Sequence, residues 1–412
     1  MGDEWDVIVM GGGPAGSAAG IFLAQAGMRV VMVEAGRHPR HHIGESLLPG
    51  SIPILERLGV GRKELAARWQ PKYGARFYDV EMDMLETFDF SSEGERLMGG
   101  EGAPAFQVWR ADFDAMLYGK AREAGVEVME GAKVVEVEGI DGDGGGGEEG
   151  CVKLADGRRV MGRFLVDATG RGAVMAGKLR QKEMLGELGR LAVYSYFRDL
   201  PGHDERDADF ITMYIFEGGW VWLIPLRDGR TSVGVVLKRE AIGANLSAAG
   251  QFAAAVERMP RLKRRLARAT RTEDFRVEAD YSYAVAKKYG AWGRSGYVLV
   301  GDAAGFLDPI FSSGVHLALS SAQMAAKGIV RKLRDGDDGG LEEYQAYMMQ
   351  GFGVFKAFVE RFYRRGLVRN VFFAANKPET MRRAIVNILA GRVWDGENPV
   401  IRQICGKIEN VK

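Results

Sequence analysis

Three glycines near the start of the chain have the spacing of a phosphate-binding turn. Gly11, Gly13 and Gly16 follow the apolar stretch of residues 5–10 and open a run of small residues. In such a turn the first glycine makes the bend, the second lets a pyrophosphate reach the backbone, and the third lets the helix pack closely. The free N–H groups at the start of the helix attract phosphate. The spacing therefore predicts a dinucleotide site.

A carboxylate stands where that site needs one. Glu34 ends the next apolar stretch, 18 residues after Gly16, and Ala35 follows it. In dinucleotide-binding βαβ units a carboxylate at this place holds a ribose hydroxyl. Pro14 and Ala15, inside the glycine turn, are assigned to the same site.

Two tryptophans are a second candidate for chemistry. Trp220 and Trp222 alternate in a strand-like stretch that continues through Ile224 and Pro225, so both indoles share one face. Core packing is one interpretation, because aromatic side chains dominate protein cores. The wall of a reaction tunnel is the other. Pro225 is expected to end the strand and to remove a donor at an edge.

Lys72, in the stretch QPKYGARF, is the third candidate. Most lysines are solvated surface charges. In a dry site, however, the pKa of a lysine shifts readily, which suits it to catalysis. The residue alone does not decide between these interpretations.

Composition limits the class of protein. A chain of 412 residues is expected to form two or three lobes. The net charge of +1 argues against a nucleic-acid partner. The five histidines lack metal-ligand spacing, the two cysteines are far apart, and the first ten residues are acidic where a signal peptide is basic. The sequence predicts a cytoplasmic protein with no transmembrane segment and no protein-ligated metal.

The predicted elements alternate between strands and helices. Residues 5–10 and 28–35 are expected to be buried strands around a helix, and residues 110–124 a second helix. The glycine-rich stretch 139–150 is expected to be a mobile hairpin tip without a function. Residues 73–108 and 190–237 alternate as antiparallel strands do. Helices are expected from 312 to about 392, with a break near 376–379.

Two later segments complete a resemblance to the class A flavoprotein monooxygenase superfamily. They are FLVDATG (164–170) and GYVLVGDAAGFLDPIFSSGVHLAL (296–319). The resemblance implies an α/β fold: a Rossmann-like FAD-binding domain (GR2, para-hydroxybenzoate hydroxylase-like), an inserted antiparallel β-sheet substrate domain, and a C-terminal helical region. The implied boundaries are 1–71, 109–189 and 286–335 for the FAD-binding domain, 72–108 and 190–285 for the substrate domain, and 336–412 for the helical region.

The same resemblance implies FAD as the cofactor. Asp302 matches the family's contact to the ribityl chain, and Arg110 matches a further FAD contact. The helix that begins near Ser313 would aim its positive end at the flavin ring. The implied cofactor-binding residues are Gly11, Gly13, Pro14, Ala15, Gly16, Glu34, Ala35, Ser46, Arg110, Asp167, Gly170, Gly301, Asp302, Pro309, Gly314 and Val315.

Narrower motifs resemble one branch, the flavin-dependent halogenases. HHIGESLLPG (41–50) is similar to their segment beside the flavin, and residues 220–225 match their WxWxIP signature. Phe306, Pro309, Ser312 and Gly314 match a second signature, near the halide. Lys72 falls at the position of their active-site lysine. Beside these matches, the tunnel-wall interpretation of Trp220, Trp222, Ile224 and Pro225 is favoured.

The resemblance implies an enzyme, an FAD-dependent oxidoreductase that uses O2 and chloride or bromide. Reduced FAD would come from a separate flavin reductase, because no NAD(P)H domain is evident. A flavin C4a-hydroperoxide would react with halide held by Ser313 and Gly314, and the hypohalous acid would reach the substrate with the help of Lys72. Phe311 stands where enzymes acting on free tryptophan have glutamate. This departure implies an aromatic small molecule or an acyl-carrier-type protein as substrate.

Alternatives remain at this point. A reductase of the geranylgeranyl reductase type shares the architecture, a hydroxylase would deliver oxygen directly to its substrate, and a non-catalytic flavoprotein would bind FAD only. The basic runs 261–271 and 361–369 are either solvated faces or a docking surface for an acidic carrier protein. The phenylalanines Phe352, Phe355, Phe358 and Phe362 have helical spacing and favour core packing over a lid.

Overall fold

The structure is a computed structural model that describes residues 5–90, 104–140, 149–184, 190–278, 284–286, 288–364, 371–374 and 376–409. The strands of these residues are, in chain order, β1 Trp5–Met10, β2 Val30–Glu34, β3 Gln70–Lys72, β4 Gly74–Asp79, β5 Met84–Asp89, β6 Ala105–Gln107, β7 Glu127–Glu130, β8 Val134–Glu138, β9 Gly150–Leu154, β10 Arg159–Asp167, β11 Lys182–Met184, β12 Arg190–Arg198, β13 Phe210–Phe216, β14 Gly219–Pro225, β15 Thr231–Lys238, β16 Thr270–Arg271, β17 Arg276–Glu278, β18 Ala284–Ala286, β19 Gly290–Ala291, β20 Gly296–Leu299 and β21 Gly305–Phe306.

The α-helices of the same residues are α1 Pro14–Gln25, α2 Ile52–Arg57, α3 Arg62–Arg68, α4 Arg110–Glu123, α5 Val174–Lys178, α6 Ala248–Glu257, α7 Pro260–Leu266, α8 Ser313–Asp335, α9 Gly339–Tyr363, α10 Glu379–Leu389 and α11 Pro399–Glu409. None of them is both long and apolar enough to cross a membrane.

A largely parallel sheet carries the predicted βαβ unit. Its strand order is β19-β20-β10-β1-β2-β7, and β9 and β8 extend it from β10. The strands β20, β10, β1, β2 and β7 run parallel to one another, whereas β19 and β9 are antiparallel to β20 and β10. Helix α1 connects β1 to β2 and packs against α8. Consecutive residues of β1 and β2 are buried, so both faces of these apolar strands are covered. The Rossmann-like α/β fold is confirmed.

A second large sheet has the order β16-β12-β15-β14-β13-β4-β5, with β17 beside β12. Its strands run antiparallel, as the alternation predicts, except that β4 and β13 are parallel neighbours. Strand alternation shows which face a residue occupies, but not which strand lies beside it. The further strands β3 and β6 form a separate pair. The division of the chain into three domains stays a prediction.

The C-terminal helices close one side of the molecule. Helix α9 packs against α8, and α11 against α9 and α10. The four phenylalanines of α9 are buried, which confirms the core-packing prediction. Among the described residues, the helical run is interrupted at 336–338 and, as predicted, at 376–378. Strands β8 and β9 pair as a hairpin, while residues 141–148 of its glycine-rich tip lie outside the described residues.

Candidate functional site

A cavity of about 530 Å³ runs from the glycine turn to the second large sheet. Its volume is in the range of pockets that bind cofactors and drug-sized ligands. It lies where β1, β2 and β10 end, the usual ligand position in an open parallel sheet. The predicted site residues that line it are Gly11, Gly13, Pro14, Ala15, Glu34, Ala35, Ser46, Arg110, Gly170, Trp220, Trp222, Ile224, Asp302, Pro309, Gly314 and Val315.

Other predicted site residues stand behind the cavity wall. They are Gly16, Lys72, Asp167, Pro225, Gly301 and Ser313, all outside its lining. Gly16 is required by packing, since a Cβ there would lie 1.8 Å from the Gly11 carbonyl oxygen. Gly301 has φ +58°, and a Cβ there would lie 2.9 Å from that of Ala15. Both glycines hold helices close to the sheet without facing the cavity.

The carboxylate of Glu34 lines the cavity but is already hydrogen-bonded. One oxygen accepts from the N–H of Gly12 and the other from that of Gly36, each at 2.6 Å. The Arg40 guanidinium lies 3.8 Å away. Each carboxylate oxygen has a second lone pair, so Glu34 can still accept a hydroxyl donor from a ligand. The backbone bonds fix its orientation at the end of β2.

The Asp167 carboxylate is hydrogen-bonded to the loop that follows β10. Its buried carboxylate accepts from the backbone N–H of Thr169 at 3.0 Å and from that of Met175 at 2.7 Å. Burial raises its pKa, and these hydrogen bonds oppose the rise. Asp167 therefore shapes the loop after β10 and the start of α5. Gly170, in the same loop, has φ +63° and nothing within 4 Å of its Cβ position, so this part of the cavity is open.

A buried ion pair anchors the segment that passes the middle of the cavity. Arg110 donates to both oxygens of Asp114, at 2.8 and 2.9 Å, and to the carbonyls of Ile43 and Gly44. Arg110 is 5% exposed and Asp114 fully buried. The first turn of α4 thus holds residues 41–47 in place. Across the cavity, burial raises the pKa of Asp302 to about 6, although Arg110 lowers it.

Both indoles line the cavity, side by side. The ring centroids of Trp220 and Trp222 are 5.8 Å apart. Trp222 stands opposite Gly234 of β15, where a side chain would collide with the indole. The Trp222 Nε1–H donates to the Ser232 hydroxyl at 3.1 Å, and the Trp220 Nε1–H donates to the Tyr363 hydroxyl at 3.0 Å. The two rings therefore have fixed positions.

Pro225 ends its strand as predicted, but β14 is a central strand rather than an edge. Its pairing with β13 stops at Leu223, while pairing with β15 continues to Pro225. The N–H that proline lacks would face the side without a partner strand. Proline is tolerated there because no ladder hydrogen bond is lost.

Lys72 is buried behind the segment 41–50. Its side chain is 1% exposed, and Nζ donates to the Leu47 carbonyl at 2.8 Å. The Phe90 ring lies 5.6 Å from Nζ. Burial lowers its pKa to about 7, so near neutral pH the amine exists in both protonation states. Leu47 adjoins Ser46, which lines the cavity, so one backbone segment separates Lys72 from the cavity.

The start of α8 forms the end of the cavity near the indoles. A 3-10 turn spans Pro309–Phe311, and Ser312 follows with φ +55°. Ser313 is buried, while a Cβ on Gly314 would have no atom of the described residues within 4 Å. The first-turn N–H groups of α8 have no acidic side chain near them in sequence. A helix start of this kind attracts anions.

Glu45 is a residue that the sequence reasoning missed. It lines the cavity, is 1% exposed, and accepts from the Tyr196 hydroxyl at 2.8 Å. Burial raises the pKa of its carboxyl. Nearby, burial lowers the pKa of His42 to about 4. The sequence held a signal for Glu45, which is the acidic residue of the segment HHIGESLLPG (41–50) that resembles the halogenase segment beside the flavin.

Three comparisons with known proteins agree. The family model described as tryptophan halogenase matches residues 6–98 and 90–391. A 1H-pyrrole-2-carbonyl-[peptidyl-carrier protein] chlorinase of Pseudomonas fluorescens is 30% identical over 435 aligned residues, which cover 99% of this chain and 94% of the relative. The chain belongs to the flavin-dependent halogenase family.

Solved structures share the fold of nearly the whole chain. The flavin-dependent brominase Bmp2 has a TM-score of 0.86 and 25% identity, with 99% of each chain covered. A flavoprotein/dehydrogenase of Cytophaga hutchinsonii has a TM-score of 0.85 and 29% identity, with 99% of this chain and 98% of that chain covered. The halogenase is accordingly an FAD-dependent enzyme of the oxidoreductase type.

The cavity of the halogenase fits FAD. It is long enough to join a phosphate-binding turn to the aromatic wall. Among the described residues the buried Ser46 hydroxyl oxygen, at the cavity, has no hydrogen-bond partner, so it is available to a polar group of a bound ligand. Open space at Gly170 and Gly314 provides room where side chains would intrude.

Phe311 occupies a different environment from the cavity of the halogenase. It packs in a cluster of rings from four parts of the chain: Phe77, Phe88, Phe358, Phe362 and Phe372. Phe311, which stands where enzymes acting on free tryptophan have glutamate, is therefore part of the apolar core beside α9. No polar recognition group stands at this position.

The basic run 261–271 is partly neutralised. Arg261 pairs with Asp83 at 2.9 Å, Lys263 with Glu257 at 2.7 Å, and Arg265 with Asp207 at 2.7 Å. Arg264 and Arg268 are exposed. Residues 365–369 of the second run lie outside the described residues. A docking role for either run stays a prediction.

Proposed function

We propose that this halogenase uses reduced FAD, O2 and chloride or bromide to halogenate an aromatic substrate, free or tethered to a carrier protein. The observation that carries the proposal is the arrangement of one cavity. It begins at a dinucleotide-type glycine turn and ends at two fixed indoles, and a lysine with a lowered pKa lies one backbone segment away.

In this proposal the glycine turn and the start of α1 hold the phosphates, and Glu34 accepts the ribose hydroxyl. Pro14, Ala15 and Ala35 supply contact surface, and Gly16, Asp167 and Gly301 shape the loops behind it. The remaining contacts to FAD are assigned to Ser46, Arg110, Gly170, Asp302, Pro309, Gly314 and Val315. When bound, reduced FAD supplies the electrons that activate oxygen.

The wall of Trp220, Trp222 and Ile224, in the strand that Pro225 ends, separates the organic substrate from the cofactor. Rigid rings at this place keep substrate and bulk water away while a halide is oxidised. The N–H groups of Ser313 and Gly314 at the start of α8 bind the halide. Lys72 then hydrogen-bonds the hypohalous acid, or its neutral amine takes the halogen with release of water. In the second case the amine passes the halogen to the aromatic ring, whose proton returns to the nitrogen. Either role is open to an amine that is partly unprotonated near pH 7.

The substrate class and the partners are part of the proposal. Similarity to the pyrrolyl-carrier chlorinase supports a substrate presented on an acyl-carrier-type protein. Phe311, which is buried in an apolar cluster, supports an aromatic group without an amino acid's charges. A separate flavin reductase supplies reduced FAD, and the enzyme works in the cytoplasm.

A rapid-mixing experiment without any organic substrate tests this function. Protein loaded with reduced FAD is mixed with oxygenated buffer, with and without bromide, and flavin absorbance is followed. We expect a phase of flavin reoxidation that accelerates with bromide, and hypohalous acid that a β-diketone trap detects. An oxygen-dependent phase that ignores halide would instead identify a hydroxylase. The absence of any such phase would identify a reductase or a flavoprotein without oxygen chemistry.

Filling the open space at Gly314 tests where FAD binds. The Gly314→Val substitution is expected to leave the stability of the apoprotein within about 1 kcal/mol, because the position is helical and its Cβ has no neighbour within 4 Å. We expect FAD affinity to fall about 10- to 100-fold, the size of an overpacking cost. Flavin fluorescence quenching measures the affinity.

The matched control is Gly119→Val, since Gly119 is also helical and open but lies on α4 outside the cavity. FAD affinity should stay unchanged in the control. Equal affinity in both variants would place FAD elsewhere.

A further inference from the structure

A partly buried hydrogen-bond chain joins three distant parts of the sequence behind the indole wall. The Trp220 Nε1–H donates to the Tyr363 hydroxyl at 3.0 Å, and that hydroxyl donates to Asp308 Oδ2 at 2.5 Å. The other oxygen of Asp308 accepts from the N–H of Ile310 at 2.9 Å. The chain therefore connects β14, the last turn of α9 and the 3-10 turn before α8.

The surroundings of Tyr363 keep its hydroxyl protonated. Its ring lies under the Arg190 guanidinium, at 4.3 Å, and the Lys238 Nζ is 5.7 Å from the ring centroid. Burial, together with the charge of Asp308, raises the pKa of the phenol well above its ordinary value. The hydroxyl thus stays protonated, so it accepts from the indole and donates to the carboxylate at the same time.

The two indoles differ in what holds them. Trp222 donates to Ser232 of β15, a neighbouring strand of the same sheet. Trp220 is held by a residue of the C-terminal helices, which contact the turn that leads to Ser313 and Gly314. A shift of α9 would therefore move Trp220 and this turn together, and would leave the hydrogen bond of Trp222 intact.

We propose that Tyr363 is a positioning residue whose hydroxyl fixes Trp220 relative to the Pro309–Phe311 turn. Resting on the function proposed above, the inference is that this spacing keeps the hypohalous acid on the path to the substrate. Without the hydroxyl, the Trp220 N–H and the Asp308 carboxylate lose a shared hydrogen-bond partner, and the indole loses the bond that sets its orientation. Oxidant would then escape before it reaches the organic substrate.

The first test uses the protein without FAD or substrate. Tyr363→Phe removes one oxygen atom, and Tyr214→Phe removes a buried hydroxyl that bonds His203 elsewhere, so it is the matched control. The indole N–H signal of Trp220, assigned by its loss in Trp220→Phe, is followed by ¹⁵N NMR. In Tyr363→Phe we expect the chemical shift of this signal to change and its exchange with solvent to speed up about 10-fold, the effect of losing one hydrogen bond. An unchanged signal would overturn the positioning role, whether or not the protein halogenates anything.

The second test measures coupling in the holoenzyme. Hypohalous acid captured by a β-diketone trap is compared with halogenated product formed from a substrate that the wild type accepts. Tyr363→Phe should raise the trapped share several-fold while the halide-dependent oxidation of flavin keeps its rate. If the trap captured the same fraction of hypohalous acid in Tyr363→Phe as in Tyr214→Phe, the inference that Tyr363 keeps the acid on its way to the substrate would be refuted. If the wild type shows no halide-dependent oxidation at all, the proposed function fails, and the NMR result stands by itself.

Discussion

The Lys72→Met variant is expected to lose halogenation and to gain stability. Lys72 is fully enclosed, and its Nζ has one described hydrogen bond, to the Leu47 carbonyl. Methionine has a similar length and carries no charge to desolvate. We expect product formation to fall at least about 100-fold, the usual size of losing a group that acts on a proton or a reactive atom. Halide-dependent oxidation of flavin should continue, because Lys72 lies outside the cavity lining.

The stability gain follows from the lowered pKa. The ordinary pKa of lysine is 10.5, whereas that of folded Lys72 is about 7. Between these values the unfolded chain binds a proton that the folded chain lacks. Because protonation stabilises the unfolded chain, the buried lysine lowers the free energy of unfolding of the wild type. The loss is complete below pH 7 and disappears as the pH rises to 10.5. At pH 7 it is on the order of 4 kcal/mol.

Urea denaturation at several pH values measures this effect. The free energy of unfolding of Lys72→Met should exceed that of the wild type at pH 7, and the difference should shrink towards pH 10. Lys327→Met is the control, because the Lys327 side chain is 61% exposed. A constant difference across this pH range would contradict the buried, neutral amine. Retained product formation would remove Lys72 from the mechanism.

The Arg110→Met variant is expected to be among the least stable single variants of the cavity. It would leave the fully buried Asp114 without its cation, and the carbonyls of Ile43 and Gly44 without a donor. Removing one partner of a buried ion pair costs about 3–5 kcal/mol. We expect a loss of that size in urea denaturation, together with weaker FAD binding, because the segment 41–47 is no longer held against α4.

A double variant separates charge from packing. Arg110→Met combined with Asp114→Leu replaces the pair by apolar side chains of similar volume, and such replacements are often close to neutral. Most of the lost stability should return, while FAD affinity should not, because the carbonyls of the segment still lack a donor. A double variant as unstable as Arg110→Met would show that the lost packing of the arginine, and not the unpaired charge, carries the cost.

The sequence predicted the parts of the site that local chemistry determines. The glycine turn, Glu34 and the helix start at Ser313 depend on residues close together in the chain. The structure has the turn, the strand end and the helix start at these positions, while their roles towards FAD stay predictions. The shared face of Trp220 and Trp222 follows from strand periodicity alone. Motifs of this kind can be recognised because the backbone conformation they need is decided within a few residues.

The sequence could not predict contacts between residues that are far apart in the chain. Tyr363 meets Trp220 across 143 positions, and Glu45 meets Tyr196 across 151. No local pattern marks a tyrosine at the end of a helix as the partner of an indole. Phe311 is a similar case, because whether its ring faces a cavity or a core depends on where α9 packs. Lys72 was found from the motif, but its position behind the segment 41–50 was not.

The parallel neighbours β4 and β13 have a consequence for how the chain is made. Phe77 pairs with Met213, which the ribosome adds 136 residues later. Until then one edge of β4 has no partner except water or another chain, and exposed strand edges promote association between chains. Pairings this remote also slow folding, since a long loop must close first. The second large sheet is thus a late assembly step, and chains interrupted before residue 210 would expose its unpaired strands to aggregation and proteolysis.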